Sequence, residues 1–377
     1  MPLSRVDFEV VVVGGGVVGL ACAAELVSRY TSVLLLEASS GFGSGTSSRN
    51  SGVIHAGLYY PAASLKAQLC VEGRELLYAR CARDGVAHRR CGKLVVAVDQ
   101  QEVLALQGLL QRAVENGATE VRWIGTTELQ RLEPRVRGVA ALWSPMTGIV
   151  DAHGLMDSYR RQALAGGAQL LLHSSLEGIE RCPEGLRLWV RGPASPELQQ
   201  VTARHVINAA GLAADRVAAL AGLDVQALGY RQYYCKGDYF RLGPRLRGAV
   251  RHLVYPIPVS AGLGIHLTLD LAGELSAGPD AYYVDTVDYD VLPEKAAAFA
   301  AALQRYLPGV EPEDLEPNYA GVRPKLQPPS GGFRDFVIAD ERAHGVQGLV
   351  NLVGIESPGL TASEAIARRV VQLLQLG

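Results

Sequence analysis

The sequence predicts an α/β protein, α+β overall, in which a Rossmann-like nucleotide-binding domain carries an inserted, mainly antiparallel sheet. Three observations lead to this prediction. A glycine-rich fingerprint lies between an apolar strand and a helix near the N-terminus. Strand–helix segments of the same kind recur in the middle and at the end of the chain, and the segments between them differ in composition and hydrophobic pattern. A chain of 377 residues is also long enough for two domains.

The fingerprint follows the first predicted strand, Phe8–Val13, whose β-branched apolar residues suit a buried parallel strand. Residues 14–19, GGGVVG, fit the pattern G-x-G-x-x-G, and a helical pattern continues to about Tyr30. A second strand, Ser32–Glu37, ends in an acid 18 residues beyond Gly19. A glycine-rich turn without a ligand is the structural alternative. The flanking strand and helix favour a dinucleotide site instead.

Each residue of the fingerprint has an expected role. Gly14 makes the tight turn, Gly16 lets the backbone approach a pyrophosphate, and Gly19 permits close packing of helix and strand. Glu37 can accept hydrogen bonds from the adenosine ribose. The phosphates then lie at the N-terminus of the helix, where free N–H groups and the helix dipole favour anions.

Residues 39–50, SSGFGSGTSSRN, indicate which dinucleotide is bound. NAD and FAD sites share the fingerprint, but an NAD enzyme usually continues with further βα units. Here the chain enters a long loop of glycine and hydroxyl residues, which can wrap a large ligand and donate many hydrogen bonds. A flexible surface linker is the alternative interpretation. The position of the loop, between a nucleotide strand and an apolar segment, favours FAD.

Later segments extend the same domain. We predict strands at Leu170–Ile179, Leu186–Val190, Val206–Gly211 and Leu349–Ile355, a helix at Ala214–Leu220, a tight turn at Glu356–Gly359, and a helix from Ala362 to Leu374 opened by Thr361. Residues 77–145 are rich in helix formers, and residues 229–330 alternate in strand patterns rich in Tyr, His and Pro. We therefore assign residues 1–76, 146–228 and 331–377 to the nucleotide domain, and residues 77–145 and 229–330 to the inserted one.

Composition excludes several classes of protein. A net charge of -2 gives no broad electrostatic attraction to nucleic acid or anionic membrane. The six cysteines are scattered without a C-x-x-C pair, so we expect neither a metal site nor a disulfide framework. The apolar N-terminal run is broken by glycines and preceded by more acids than bases, so we interpret it as retained structure and not a signal peptide. We expect a cytoplasmic protein without a transmembrane segment, with peripheral attachment at the inner face of a membrane left open.

Several segments together resemble a known family. They are GGGVVGLACAAEL, LLLEAS, SSRNSGVIHAGLYYPAASLKAQLCVEGRELL, RCGKLVVA, VINAAGL, NYAGVRPKL and GIESPGLTASEAIA. In this order they resemble the FAD-dependent D-amino-acid-oxidase-like superfamily, and within it the L-2-hydroxyglutarate dehydrogenase/oxidase branch. Two positions depart from that branch: Arg49 replaces an expected histidine, and Glu364 replaces an apolar residue.

The resemblance implies FAD as the cofactor. Noncovalent binding is the default expectation, and covalent attachment through a histidine or cysteine stays open. The loop at residues 44–50 would lie beside the flavin and its pyrophosphate, and the turn at Ser357–Thr361 would present backbone N–H groups to the flavin pyrimidine. A capped helix start is the structural alternative for that turn. The expected FAD-binding residues are Gly14, Gly16, Val17, Val18, Gly19, Glu37, Ala38, Ser44, Thr46, Ser47, Ser48, Asn50, Ser51, Leu176, Ala210, Gly211, Gly354, Ser357, Pro358, Gly359, Leu360 and Thr361.

The resemblance also implies oxidation of a small 2-hydroxy acid, such as L-2-hydroxyglutarate or a related dicarboxylate, by hydride transfer to flavin N5. The hydroxyl proton then needs a base, and histidine has a suitable pKa. His55, within the apolar segment after the loop, and His266, on one face of an alternating segment with Gly264 and Thr268, are both candidates. A hydrogen-bonded core histidine is the alternative at each position.

A hydroxy acid also presents carboxylate groups. Arg323 is the expected partner of the first, because its planar guanidinium suits a carboxylate. Lys236 and Lys325 are candidates for a second carboxylate, although each would more often be a solvated lysine. Tyr60 and Tyr255 are candidates to line the substrate pocket, although an aromatic residue near a core is usually part of that core.

Other functions stay open at this point. An amine oxidase of the glycine or sarcosine type keeps FAD but depends less on a histidine base, and a glycerol-3-phosphate dehydrogenase would need more cationic residues. Outside flavin chemistry, an NAD(P) dehydrogenase and a redox-inactive FAD-binding partner are alternatives. The electron acceptor is equally open among dioxygen, a quinone and an electron-transfer protein.

Overall fold

A computed structural model describes residues 6–193, 195–258 and 264–375. Its strands are, in chain order, β1 (Phe8–Val13), β2 (Val33–Leu36), β3 (Val53–Ile54), β4 (His88–Arg89), β5 (Lys93–Ala97), β6 (Arg122–Gly125), β7 (Ala140–Ser144), β8 (Gly148–Val150), β9 (Gln169–Leu171), β10 (Ser175–Cys182), β11 (Gly185–Arg191), β12 (Gln199–Asn208), β13 (Tyr233–Leu242), β14 (Leu253–Pro256), β15 (Leu267–Leu269), β16 (Leu275–Ala277), β17 (Tyr282–Val284), β18 (Leu315–Lys325), β19 (Val337–Asp340) and β20 (Leu349–Val353). Its α-helices are α1 (Val17–Leu26), α2 (Leu65–Asp84), α3 (Gln100–Glu115), α4 (Thr126–Leu132), α5 (Ala152–Ala165), α6 (Ala214–Leu220), α7 (Ala296–Gln304) and α8 (Gly359–Gln375).

The first sheet has a parallel centre. Its strands follow the order β10-β11-β12-β1-β2-β9, while β20 pairs with β12 and β19 pairs with β20. The strands β1, β2, β9, β12 and β20 run parallel. Val10, Val11 and Val12 in β1 are completely buried, as expected of a strand covered on both faces. This arrangement confirms the predicted Rossmann-like domain.

The second sheet is the predicted antiparallel one. Its strands follow the order β17-β13-β16-β15-β14-β5-β7-β6, and β18 pairs with β13. Only the pairing of β14 with β5 is parallel among the strand pairs described in this sheet. The long pair β13–β18 brings Cys235 opposite Arg323 and Gly237 opposite Gly321, so its register aligns these residues at the face toward the first domain.

A small sheet, with the order β3-β8-β4, lies beside these two. It contains β3, which immediately precedes His55. The helix α2 follows and runs without interruption from Leu65 to Asp84, so the expected domain boundary between residues 76 and 77 falls inside it. Leu77 in α2 lies in the same core as Ile366 in α8. The second half of α2 therefore packs with the nucleotide domain.

Several predicted elements agree with the structure, and one is wrong. The bounds of β1 and α6 match the prediction, whereas α1 ends at Leu26, before Tyr30, and α8 begins at Gly359, before Ala362. The single strand predicted at Leu170–Ile179 is in fact two, β9 and β10. His173 between them has a φ of 51°, in the left-handed region that interrupts a strand. The two strands then join different neighbours, β2 and β11.

The helices of the described residues include none that is both long enough and apolar enough to cross a lipid bilayer.

Candidate active site

A cavity of about 1070 Å³ lies between the two large sheets. On one side it is lined by residues that follow the carboxyl ends of β1, β2, β12 and β20. On the other side it reaches residues of β13, β14 and β18. The carboxyl edge of a parallel sheet is where α/β proteins bind nucleotides. The cavity is large enough for a ligand the size of a dinucleotide.

The glycine fingerprint forms the end of the cavity beside β1. Gly14 has a φ of 107°, and a Cβ there would lie 2.4 Å from the carbonyl oxygen of Ala209. A Cβ on Gly19 would lie only 1.9 Å from the carbonyl oxygen of Gly14. Both contacts agree with the expected turn and helix–strand packing. Gly16 is the N-cap of α1 and has no side chain to cap the helix. The N–H of Val17 is bonded to Ser47 Oγ, so an anion in the cavity would meet the other N–H groups of the first turn.

The carboxylate of Glu37 is held at the same end. Its Oε2 accepts a hydrogen bond from the backbone N–H of Gly15 at 2.7 Å, and its Oε1 accepts one from Ser39 at 2.7 Å. A carboxylate has about four acceptor sites, so others remain for ribose hydroxyls. Since Glu37 also lines the cavity, the residues present fit the adenosine half of a dinucleotide.

The loop at residues 44–50 connects the two domains and is not a loose linker. Thr46 Oγ1 donates to the carbonyl oxygen of Val322 at 3.1 Å, and Tyr319 donates to that of Asn50 at 3.0 Å. Ser47 Oγ accepts from the N–H of Val17 at 2.9 Å. The loop is therefore fixed against α1 and β18, along one wall of the cavity.

Most of the residues expected to bind FAD line the cavity. Those that do are Gly14, Gly16, Val17, Val18, Glu37, Ala38, Ser44, Thr46, Ser47, Asn50, Ser51, Ala210, Gly211, Ser357, Pro358, Gly359 and Leu360. Those outside its lining are Gly19, Ser48, Leu176, Gly354 and Thr361.

The residues outside the lining have contacts within the protein. Leu176 packs against the hydrophobic core that contains Val11 and Val13 of β1, and Ser48 Oγ donates to the carbonyl oxygen of Gly45 at 3.3 Å. The N–H of Gly354 donates to Gln232 at 2.9 Å. Thr361 Oγ1 accepts from the N–H of His55 at 3.0 Å and so connects α8 to the histidine segment.

His55 lines the cavity just after β3. Its Nε2 lies 3.4 Å from Ser357 Oγ, which in turn lies 3.2 Å from the hydroxyl of Tyr60. Its Nδ1 is buried and has no hydrogen-bond partner in the described part of the chain. Burial lowers the pKa of His55 to about 3, and the nearby Lys93 ammonium contributes to the same effect. His55 is therefore neutral at physiological pH.

His266 lines the cavity from the opposite domain, just before β15. Its Nδ1 lies 3.0 Å from the carbonyl oxygen of Gly264. Because a carbonyl can only accept, Nδ1 carries the hydrogen and Nε2 carries the lone pair. The imidazole stacks on Tyr255 with 3.8 Å between ring centroids. The pKa of His266 is lowered to about 3, chiefly by burial and in part by the charges of Lys93 and Arg323, which together outweigh the opposing hydrogen bond to Gly264.

Arg323 presents an uncompensated guanidinium to the cavity. Its Nη2 donates weakly to the carbonyl oxygen of Asp280 at 3.4 Å, and its Nη1 lies 3.9 Å from the sulfur of Cys235. No carboxylate of the described residues forms an ion pair with it. A Cβ on Gly237 would lie 2.8 Å from Nη2, so a glycine on the neighbouring strand makes room for this side chain.

Lys325 also lines the cavity, but its charge is already compensated. Glu356 lies 3.0 Å from Lys325 Nζ and 2.8 Å from Lys66 Nζ, and sequence reasoning missed both Lys66 and this carboxylate. Burial raises the pKa of Glu356, but the two ammonium groups outweigh burial and lower it to about 2. Lys325 is therefore a poorer partner for a second substrate carboxylate than we expected.

The position of Lys236 corrects the expectation that it contacts substrate. Gly237 and Tyr239 of β13 line the cavity, and Lys236 lies outside that lining. Side chains alternate along a strand, so Lys236 points to the opposite face. There its Nζ pairs with Asp288 and donates to the carbonyl oxygen of Asp290 at 2.6 Å. Tyr60 and Tyr255, by contrast, line the cavity as expected.

Two further cationic residues near the site were not in the expected set. Arg49 lines the cavity, its guanidinium lies 3.8 Å from the ring centroid of Tyr289, and its Nε is buried without a hydrogen-bond partner. Lys93, in β5, is completely buried. The only signal for Lys93 in the sequence was a lysine at the start of the otherwise apolar segment KLVVA.

Glu364 is, with Arg49, one of the two positions that depart from the family pattern. It forms an ion pair with Arg80 at 2.6 Å and lies outside the cavity lining.

Comparison with known sequences agrees with this geometry. The profile of the family described as "FAD dependent oxidoreductase" matches residues 9–373. The chain is 40% identical to the mitochondrial L-2-hydroxyglutarate dehydrogenase of Arabidopsis thaliana, over 98% of this chain and 83% of that protein. It is 30% identical to the human mitochondrial enzyme of the same name, over 99% and 89%. The Escherichia coli L-2-hydroxyglutarate dehydrogenase is 29% identical, over 98% and 93%.

Solved structures are similar across the whole fold. Dithionite-reduced L-α-glycerophosphate oxidase from Mycoplasma pneumoniae, with FAD bound, superposes with a TM-score of 0.86 at 26% identity, covering 98% of this chain and 94% of that one. Glycine oxidase from Geobacillus kaustophilus superposes with a TM-score of 0.81 at 22% identity, covering 99% and 95%. The second similarity supports the fold alone.

Proposed function

Because the chain belongs to the family of FAD-dependent oxidoreductases, with FAD as its cofactor, we propose that it oxidises L-2-hydroxyglutarate, or a closely related 2-hydroxy dicarboxylate, to the 2-oxo acid. The observation that carries the proposal is the combination of an uncompensated arginine with two neutral histidines around one cavity. The whole-length similarity to L-2-hydroxyglutarate dehydrogenases supports the choice of substrate.

FAD bound in this cavity would supply a two-electron acceptor for the hydroxyl-bearing carbon. The residues that would hold it are the fingerprint glycines, Glu37, the loop at residues 44–50 and the turn at Ser357–Leu360. The chain's remaining tasks are to orient the acid, to exclude water and to accept the hydroxyl proton.

Arg323 binds the carboxylate next to the reacting carbon. Its guanidinium has only weak neutral contacts, so a carboxylate replaces no ion pair when it binds. A bidentate arginine–carboxylate contact fixes the direction of the acid as well as its position. Arg49 is the better candidate for the second carboxylate, since its guanidinium faces an aromatic ring and no acid among the described residues pairs with it.

Two imidazole nitrogens are available to the hydroxyl proton. One is Nε2 of His266, whose lone pair is fixed by the bond from Nδ1 to Gly264. The other is Nδ1 of His55, which is buried without a partner. Both rings are neutral at pH 7 because burial lowers their pKa values to about 3, so either can accept a proton without first losing one.

The substrate is tested by anaerobic titration of the flavoprotein, following its visible absorption. L-2-hydroxyglutarate is added in parallel with its D-enantiomer, glycine, sarcosine and glycerol 3-phosphate. We expect stoichiometric bleaching by L-2-hydroxyglutarate alone. Bleaching by an amine or by glycerol 3-phosphate, with none by the hydroxy acid, would overturn the proposal.

The roles of the two histidines are tested with His55→Gln and His266→Gln, whose amides keep hydrogen bonding without basicity. Loss of the base should lower kcat across the pH range, whereas loss of an orienting contact should mainly raise KM. Retention of wild-type kcat by both variants would exclude a histidine base.

A further inference from the structure

Lys93 is an anomaly in the structure. Its side chain has 0% exposure, and its Nζ has no hydrogen-bond partner among the residues that the structure describes. A buried ammonium without a partner is strongly disfavoured, and proteins normally pair such a group with an anion. The role proposed above for the histidines and Arg323 makes no use of this residue. A lysine at this position therefore needs a reason beyond packing.

The groups that face Lys93 are all neutral. Cys70 from α2, Tyr59 from the segment after β3, and Tyr255 from β14 surround its Nζ. Burial raises the pKa of Cys70 to about 12 and raises the pKa values of Tyr59 and Tyr255 above the usual range, so none is an anion at pH 7. His55 and His266 are neutral as well. The other charged groups of the described residues that act on these neighbours are also cations: Arg74 lies near Cys70, and Arg323 lies near His266.

Two of these neighbours connect Lys93 to the active site. Its Nζ lies 4.4 Å from the ring centroid of Tyr59 and 4.7 Å from that of Tyr255. Both rings line the cavity, whereas Lys93 does not. Tyr255 also stacks on His266. The ammonium thus lies against the inner side of the aromatic wall of the site, where its charge acts across a dry medium of low polarity.

We propose that Lys93 is a positioning residue of the substrate site. The anionic hydroxy acid, and no group among the described residues, compensates its ammonium, and the side chain takes up a proton when the acid binds. This inference rests on the proposed function, because it assigns the compensating charge to a carboxylate substrate. The proton comes from solvent, and no covalent bond is formed or broken. The same charge lowers the pKa values of His55 and His266 and so keeps both imidazoles neutral before the acid binds.

The proton uptake follows from the electrostatics of the site. Without an anion in the cavity, burial lowers the pKa of Lys93 to about 7, so a large part of the population is uncharged at slightly alkaline pH. A dianion in front of the aromatic wall favours the charged form and raises that pKa. By linkage, binding of the dianion then draws a proton from solution, and the affinity falls as the pH rises.

The test is titration calorimetry of the FAD-loaded protein with 2-oxoglutarate, the product of the proposed reaction, near pH 8 in two buffers of different ionisation enthalpy. The difference between the two apparent enthalpies gives the number of protons taken up. Wild type, Lys93→Met, Lys93→Gln and Lys93→Arg are compared. Methionine and glutamine remove the charge at similar length, while arginine keeps a charge that does not titrate.

We expect proton uptake by the wild type only. The two neutral variants should bind 2-oxoglutarate about tenfold or more weakly, from the loss of one unit charge at a distance of several ångströms. Lys93→Arg should regain affinity without proton uptake. These results would support the inference, and the melting temperature of each variant shows that the fold is kept.

Unchanged affinity and unchanged proton uptake in both neutral variants would overturn the inference and leave the proposed function intact. Weaker binding with the proton uptake of the wild type would also overturn it, because Lys93 would then be structural. Failure of the wild type both to bind 2-oxoglutarate and to be reduced by L-2-hydroxyglutarate would overturn the proposed function, and this inference with it.

Discussion

Replacement of Glu356 by glutamine removes the one carboxylate that compensates two lysines beside the cavity. The side chains of Lys66 and Glu356 are each only 5% exposed, and that of Lys325 is 16% exposed. Glutamine keeps the shape of the side chain and its hydrogen-bonding capacity but leaves two buried ammonium groups without a counter-ion. Breaking a buried ion pair by removing one partner typically destabilises a protein by about 3–5 kcal/mol. We expect a loss of free energy of unfolding in that range.

The pH dependence gives an independent magnitude. The pKa of Glu356 is lowered from 4.5 to about 2, so the folded state holds the carboxylate charged where the unfolded chain binds a proton. The resulting stabilisation is fully present above pH 4.5 and is lost as the pH falls through about 2. At about 1.4 kcal/mol for each pH unit between these values, it amounts to about 3 kcal/mol. The magnitude from the lowered pKa therefore agrees with the magnitude expected for breaking a buried ion pair.

Urea denaturation of the FAD-loaded protein at neutral pH and near pH 4 measures this loss. The matched control is Glu274→Gln, which removes the carboxylate of the exposed ion pair with Arg247 and should cost about 0–1 kcal/mol. The double variant Lys66→Met with Glu356→Gln should recover part of the stability, because only the more exposed lysine stays uncompensated. A loss from Glu356→Gln no larger than that of the control would refute the reasoning.

Three further predictions follow from other contacts. Gly19→Ala places a Cβ 1.9 Å from the carbonyl oxygen of Gly14, so we expect the purified variant to have lost its flavin absorption; a full flavin content would contradict this packing. Arg323→Leu should raise KM for L-2-hydroxyglutarate by about tenfold to a hundredfold, with partial recovery in Arg323→Lys, since a charge-assisted contact is lost; steady-state kinetics with an unchanged KM would exclude Arg323 as the carboxylate partner. Lys93→Met should stabilise the substrate-free protein by about 1–4 kcal/mol near pH 6.5, because a buried uncompensated charge is removed. Since the pKa of Lys93 is lowered from 10.5 to about 7, this gain should shrink as the pH rises through that interval, and a gain independent of pH in thermal unfolding would contradict it.

Local patterns in the sequence were sufficient for the nucleotide unit. The run of β1, the fingerprint glycines and the acid at the end of the next strand lie within residues 8–37, so the periodicity of a short segment already specifies strand, turn and helix. The same holds for α6, whose bounds were predicted correctly. Local patterns were weaker at Leu170–Ile179, where His173, Ser174 and Ser175 interrupt the apolar residues but do not by themselves specify a break between two strands. Only the left-handed backbone of His173 and the different partners of β9 and β10 divide it.

The sequence by itself determined the fold class, the FAD-binding fingerprint and most of the residue types around the cavity, because each depends on short-range periodicity or on motifs of adjacent residues. The tertiary structure decided which of the charged residues form ion pairs and which face the cavity without a counter-ion. Lys66 and Glu356 are 290 residues apart in the chain, yet they form a buried ion pair. Lys236 turns away from the cavity through the alternation of β13, while Lys93 points into the aromatic wall. Such pairings depend on strand register and on contacts between distant segments, and neither composition nor local periodicity contains that information.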